Sequence, residues 1–136
     1  MHATIANDQR TMLDHYYVRG TVFIEEQNIP WHLEFDEDDY RAILFNLYDG
    51  ERPIAAARLV DNKVGRVAVL KSHRRRKAGT YIMEALETHA RENGMDTLKL
   101  GAQTYIVPFY EAIGYTPYGE VYLDAGIEHR MMKKKL

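Results

Sequence analysis

Three features of the sequence predict an α+β protein of three layers (α/β/α), with helices on both faces of a mixed, mostly antiparallel sheet. The tight-turn dipeptide Asp49-Gly50 separates two apolar runs, Ala42–Tyr48 and Ile54–Val60, and so predicts an antiparallel hairpin. A second turn, Asp61-Asn62, leads into Val64–Leu70 and extends the hairpin to a three-stranded meander. The segment after that carries Ile82, Met83, Leu86 and Ala90 on one helical face and Glu84, Glu87, Arg91 and Glu92 on the other. A helix crossing to a further strand at this point places a parallel neighbour beside the meander.

The elements follow in order. Ala3–Ala6 reads as a short first strand, and Asp8 as an N-cap. Met12, Leu13, Tyr16, Tyr17, Phe23 and Ile24 then recur at roughly helical spacing, in one helix or two, ending before Pro30. In the third strand of the meander, Val67 and Val69 alternate with Arg66 and Ala68 at the strand period of two. Asn93-Gly94 supplies a helix stop, and Thr97–Leu100 reads as the next strand. Pro108 suits the first turn of a short helix that Gly114 terminates, while Tyr115–Tyr118 and Glu128–Met132 read as closing strands. With 136 residues, no internal repeat and no Gly/Ser/Pro-rich linker, a single domain over residues 1–136 is expected.

Composition removes several classes of function. The absence of cysteine excludes a thiol nucleophile, a disulfide framework and a Cys-ligated metal, and makes a reducing cytoplasm the expected location. No apolar run approaches the ~20 residues of a membrane span, and no basic-then-apolar signal pattern opens the chain. Neither a membrane partner nor, at 18 basic against 20 acidic residues, a nucleic-acid partner is expected. Charge is nonetheless segregated. Glu25–Asp39 holds seven carboxylates and no Lys or Arg, whereas Lys71–Lys77 holds five cations.

The second cluster sits between a strand and a helix. A helix start has unpaired N–H groups and partial positive charge, so a cationic turn there is an anion site suited to pyrophosphate. A solvated basic turn is the plainer alternative. A nucleic-acid patch lacks the aromatic platform that would accompany it.

The segment from Val67 to Leu86, with Pro108-Phe109-Tyr110-Glu111-Ala112-Ile113-Gly114-Tyr115, resembles the acetyl-coenzyme A signature of the GNAT acetyltransferase superfamily. Arg19–Pro30 (RGTVFIEEQNIP) and Asp124–His129 (DAGIEH) further resemble a small bacterial subgroup often called ElaA-like. The resemblance implies the GNAT acyl-CoA acyltransferase fold, with a splayed central strand pair, and homodimers are common in the family. It implies that Val67, Ala68 and Val69 offer backbone groups to the pantetheine arm of acetyl-coenzyme A. Arg74, Arg75, Arg76, Lys77, Ala78, Gly79 and Thr80 would wrap its pyrophosphate. The family pattern is Arg or Gln, two variable residues, Gly, one residue, then Gly or Ala, so Lys77 replaces the first glycine. A left-handed lysine costs ~1 kcal/mol, and its charge beside a diphosphate offsets that, so coenzyme A is still expected to bind.

The implied reaction is direct transfer of an acetyl group to a primary amine, without a covalent enzyme intermediate. The resemblance makes Tyr110 the general acid that protonates the departing thiolate, as a phenol with a pKa near 10 can; the alternative is one more core aromatic among ten tyrosines. Phe109 and Tyr115 read as core. The usual carboxylate of the next strand is missing from Gly101-Ala102-Gln103, which leaves His129 and Glu26 as candidate bases and Gln103 as a partner for the pantetheine amide or the acceptor. His129 can equally be structural, and Glu26 can pair with Arg19. The oxyanion would be held by a backbone N–H near Val69. The acidic run either attracts a cationic small-molecule or peptide acceptor or is a solvated loop, and Trp31 either anchors that loop or lines the acceptor site. No residue spacing resembles a metal site. The alternative function is a coenzyme A-binding regulatory module with little catalytic activity.

Overall fold

The computed structural model describes residues 1–136 and contains seven strands in one sheet, ordered β1-β2-β3-β4-β5-β7-β6. The strands are β1 (His2–Ile5), β2 (Ile43–Asp49), β3 (Arg52–Val60), β4 (Lys63–Val69), β5 (Thr97–Gln103), β6 (Thr116–Asp124) and β7 (Ile127–Lys135). The helices are α1 (Gln9–Arg19), α2 (Trp31–Glu34), α3 (Ala78–Glu92) and α4 (Val107–Ala112). All strand pairs are antiparallel except β4 with β5. The mixed sheet and three layers expected from the sequence are present.

Alternation along β3 explains the layering. Ala55, Ala57 and Leu59 join the larger core cluster with Ile82, Met83, Leu86 and Ala90 of α3. Ala56 turns to the other face and packs with Val18, Val22 and Phe23. Asp8 caps α1 by accepting from the Thr11 N–H at 2.8 Å, as its position predicts. Gly20 does not break the helix. Instead the chain continues as one π-helical segment, Gly20–Glu26, which carries Val22 and Phe23 down onto β3 and β4.

Three strand expectations need correction. The closing strands are nine residues each, because β6 runs past Tyr118 through an irregularity at Gly119 (φ +73°) to Asp124. β5 likewise extends beyond Leu100 to Gln103. The period-two alternation in β4 is interrupted. Ala56 faces Ala68 but Arg58 faces Gly65, so β4 carries one extra residue, a bulge in which Arg66 adopts φ +52°. That conformation costs ~1 kcal/mol for a residue with a Cβ. The Arg66 guanidinium braces it from outside, donating to the carbonyls of Leu33 and Glu34, each at 3.1 Å.

Candidate active site

β4 and β5 are paired only at Lys63↔Lys99 and Val64↔Leu100, after which they diverge. The Leu70 N–H donates to the Ile54 carbonyl at 2.9 Å. Hydrogen-bonded pairs alternate along an antiparallel ladder, so Val69, one residue earlier, turns its own N–H and carbonyl away from β3 and toward the gap. The expected splay is therefore present, and its open edge offers backbone groups rather than side chains.

The gap opens into a cavity of about 1100 Å³. Every site residue expected from the sequence lines it except Arg76: Glu26, Val67, Ala68, Val69, Arg74, Arg75, Lys77, Ala78, Gly79, Thr80, Gln103, Tyr110 and His129. At one end stands the start of α3. Its first intrahelical bond runs from the Tyr81 N–H to the Lys77 carbonyl at 3.0 Å, and no side chain caps it. The N–H groups of Ala78, Gly79 and Thr80 consequently have no acceptor within the chain. Lys77 occupies φ +63°, ψ +14°, the left-handed conformation its place in the motif demands, and Arg75 is left-handed as well at φ +62°. Gly79 serves a different need: a Cβ there would lie 3.0 Å from Phe109, which closes over the helix start. Unpaired amides, a positive helix end and the cations Arg74, Arg75 and Lys77 fit a diphosphate. The unpaired edge of β4 fits the amide-bearing arm that coenzyme A carries.

Tyr110 lies on the same cavity. Its ring is 6% exposed, packed edge-on against Phe109 and Tyr115 at centroid distances of 5.0 and 5.8 Å. Its hydroxyl makes no hydrogen bond within the chain and is not sealed in the core, so it faces the cavity as a free donor. Burial pushes its pKa far above the usual tyrosine value, which keeps the proton in place at neutral pH. Tyr115, by contrast, is core as expected, donating to Glu87 at 2.8 Å, and Lys134 neutralises that carboxylate at 2.9 Å.

His129 sits opposite Gln103 across the β5–β7 ladder and stacks on Tyr122, with centroids 5.7 Å apart. Its Nδ1 lies 2.7 Å from the Ile127 carbonyl, an atom that only accepts. Nδ1 therefore carries hydrogen, and in the neutral ring Nε2 is left with a free lone pair. Gln103 donates to the Gln27 side chain at 2.8 Å, tying the end of β5 to the π-helical segment. Tyr122 is a site residue that sequence reasoning missed. Its hydroxyl lies directly over Gly101, the one position of β5 where a side chain would collide with it; the only available signal was a glycine inside a strand pattern.

Glu26 does not pair with Arg19. It accepts from Arg74 at 2.8 Å, while Arg19, fully buried, bonds to Glu34 at 2.8 Å and Asp39 at 2.7 Å. Much of the acidic run is tied down by arginines, while Glu25 and Glu37 stay exposed. Arg58 binds Asp36 at 2.7 Å and Asp39 at 3.1 Å, and Arg66 reaches Glu34 and Asp36, each at 3.2 Å. Burial opposes ionisation of Asp36 and Asp39, but their arginine partners more than offset it and hold both below the usual aspartate range. Glu34 is deeper, and burial leaves its carboxyl above the usual range despite Arg19 and Arg66. Trp31 is 68% exposed and does not line the cavity, so it neither anchors the loop in the core nor forms the acceptor wall. No cluster of three or more His, Asp or Glu side chains is placed to hold a metal, and no helix is long and apolar enough to cross a membrane.

Comparison with known proteins agrees with this geometry. A family profile described as "Acetyltransferase (GNAT) domain" matches residues 13–136. The uncharacterized N-acetyltransferase YjcF of Bacillus subtilis is 43% identical, over 98% of this chain and 99% of its own length. Protein ElaA of Escherichia coli is 32% identical over 88% of this chain and 84% of its own; its crystal structure superposes with a TM-score of 0.85, 26% identity and 98% of each chain covered. The crystal structure of a putative N-acetyltransferase from Lactobacillus plantarum superposes with a TM-score of 0.92 and 27% identity, covering 99% of this chain and 97% of that one. The chain belongs to the GNAT acetyltransferases and is an acyltransferase of the ElaA-like group.

Proposed function

We propose that the protein transfers an acetyl group from acetyl-coenzyme A directly to a primary amine. The observation that supports this best is the meeting, on one cavity, of three unsatisfied donors: the first amides of α3, the outward N–H of Val69 and the unpartnered hydroxyl of Tyr110. Each suits a different part of one substrate. The helix amides and the cations of Arg74, Arg75 and Lys77 take the diphosphate. The edge of β4 takes the pantetheine arm in the manner of a strand. The Val69 N–H is then placed to stabilise negative charge on the thioester oxygen as the amine nitrogen adds.

The remaining steps are proton transfers. An ammonium must lose its proton before it attacks, and Nε2 of His129 has the free lone pair to take it, directly or through water. The new C–N bond forms, the nitrogen sheds its second proton to water in the cavity, the C–S bond breaks, and Tyr110 protonates the leaving sulfur. The tyrosinate then recovers a proton from solvent through the cavity. Glu26 is the other candidate for the first transfer, held by Arg74 in the free protein. Holding both substrates in one cleft accounts for much of the acceleration.

The test is thiol release from acetyl-coenzyme A with a panel of primary amines, combined with titration calorimetry. Tyr110→Phe is expected to lower turnover by about 10²-fold or more while leaving coenzyme A affinity within about twofold. Equal turnover by the variant would remove Tyr110 from the mechanism. No heat with acetyl-coenzyme A at millimolar concentration would remove the whole reading.

A further inference from the structure

We propose that Arg74 is a shared residue, held by Glu26 in the free protein and surrendered to the diphosphate when coenzyme A binds. Its departure unmasks Glu26 as the carboxylate that receives the acceptor's ammonium group. The inference rests on the cofactor site proposed above and adds a substrate class, a cationic amine, and an order of binding.

The geometry is specific. Arg74 follows the short 3-10 turn Lys71–His73, four residues ahead of α3, and reaches back across the open edge of β4. Its Nε donates to the Val69 carbonyl at 3.0 Å, and a terminal nitrogen donates to Glu26 at 2.8 Å. Both acceptors face the cavity. The Val69 carbonyl belongs to the edge that a pantetheine amide would pair with, so the arginine and that arm compete for one oxygen. The guanidinium is partly exposed, at 39%, as is the Glu26 carboxylate at 32%. Ion pairs of this kind are weak, and a diphosphate offers the same guanidinium more charge and bidentate oxygens.

The other carboxylates on the wall do not behave this way. Glu34 is locked by Arg19 and Arg66 beneath the surface, while Asp38 and Asp61 share Arg41 at 3.2 and 2.9 Å. Asp124 stands at the β6–β7 turn and makes no ion pair. Glu26 alone is bound to a residue of the phosphate turn, so it alone changes state when that turn is occupied. The acidic run thus contributes one carboxylate to the site, and conditionally.

Calorimetry with coenzyme A tests the exchange without needing the acceptor. Glu26→Gln is expected to tighten coenzyme A binding about two- to fivefold, the worth of an exposed ion pair. Arg74→Met should weaken it about tenfold, the loss of one charge-assisted contact. In the Arg74→Met background, Glu26→Gln should then change nothing. Unmasking is read separately by labelling Glu26 with a water-soluble carbodiimide and glycine ethyl ester, followed by mass spectrometry. Coenzyme A should raise the labelling rate severalfold in the wild type and leave it unchanged in Arg74→Met. Wild-type binding with no tightening in Glu26→Gln, or Glu26 labelling unmoved or lowered by coenzyme A, overturns the exchange and leaves the acetyltransferase reading intact. Absence of any coenzyme A heat in the wild type strikes that earlier reading instead.

Discussion

At the scale of single residues, the site is assembled from groups that the fold leaves unfinished. Lys77 is the clearest case. The motif position calls for positive φ, and the chain supplies it at φ +63° with a side chain that resists it. Lys77→Gly releases ~1–2 kcal/mol of left-handed strain and returns ~0.4–1 kcal/mol of it through the greater freedom of the unfolded chain. Chemical denaturation should therefore show the variant more stable, by up to about 1.6 kcal/mol. Its coenzyme A affinity should fall severalfold, because a cation beside the diphosphate is gone. A variant both less stable and equally tight in binding would mean that the lysine is there for packing. Tyr110 makes a complementary point: its hydroxyl is left without a partner in the chain, and burial keeps the proton on it.

At the scale of elements, the β5–β7–β6 part of the sheet forms one wall of the cleft, and Gly101 sets its spacing. An alanine there would drive its Cβ into the Tyr122 hydroxyl, whereas the ring carbon behind that hydroxyl is 3.5 Å away, an ordinary contact. Gly101→Ala should cost about 1–3 kcal/mol and lower turnover by tilting the ring on which His129 stacks. Gly101→Ala combined with Tyr122→Phe should recover most of the stability, because the colliding atom is gone. If the double variant melts no higher than the single one, the strain lies in the backbone of β5. The helices show the limits of local pattern. Hydrophobic spacing finds the body of α3, Asn93-Gly94 marks its end, and the Asp8 cap is read correctly. The π-helical continuation after Gly20 has no signature in spacing, since its cause is the packing of Val22 and Phe23 on a sheet formed thirty residues later. The sequence pattern stops β6 at Tyr118, whereas the strand passes through an irregularity there and continues to Asp124.

At the scale of the whole molecule, the cationic turn Lys71–Lys77 and the acidic run Glu25–Asp39 differ in how far the sequence reveals them. The motifs that would bind coenzyme A are legible because each is short and ordered along the chain: strand, cationic turn, helix. The fate of the acidic run is not, because Glu34, Asp36 and Asp39 find Arg19, Arg58 and Arg66 across separations that no local rule spans. This network also shapes stability against pH. His15 is buried beside Arg19, and burial first, then that guanidinium, pushes its pKa down to about 4. The unfolded chain takes up that proton near pH 6.5 and the folded chain does not, so stability falls as pH drops from about 6.5 to 4, by roughly 2–3 kcal/mol. Asp36 and Asp39 hold their contribution through this window and lose it only below their unfolded value near 3.8. Glu34, shifted upward, opposes the trend over its own titration. Denaturation midpoints across this range should show the slope, and His15→Gln should flatten it; an unchanged slope would place the proton uptake elsewhere.

The divergence of β4 from β5 has a further consequence. Two registered residue pairs join the two parts of the sheet at this seam, so it is a wedge hinged at its narrow end, with open space where further rungs would be. A guest that threads the opening would act as a missing strand and couple the two leaves of the sheet. Hydrogen exchange along β4 and β5 should then slow when coenzyme A is added.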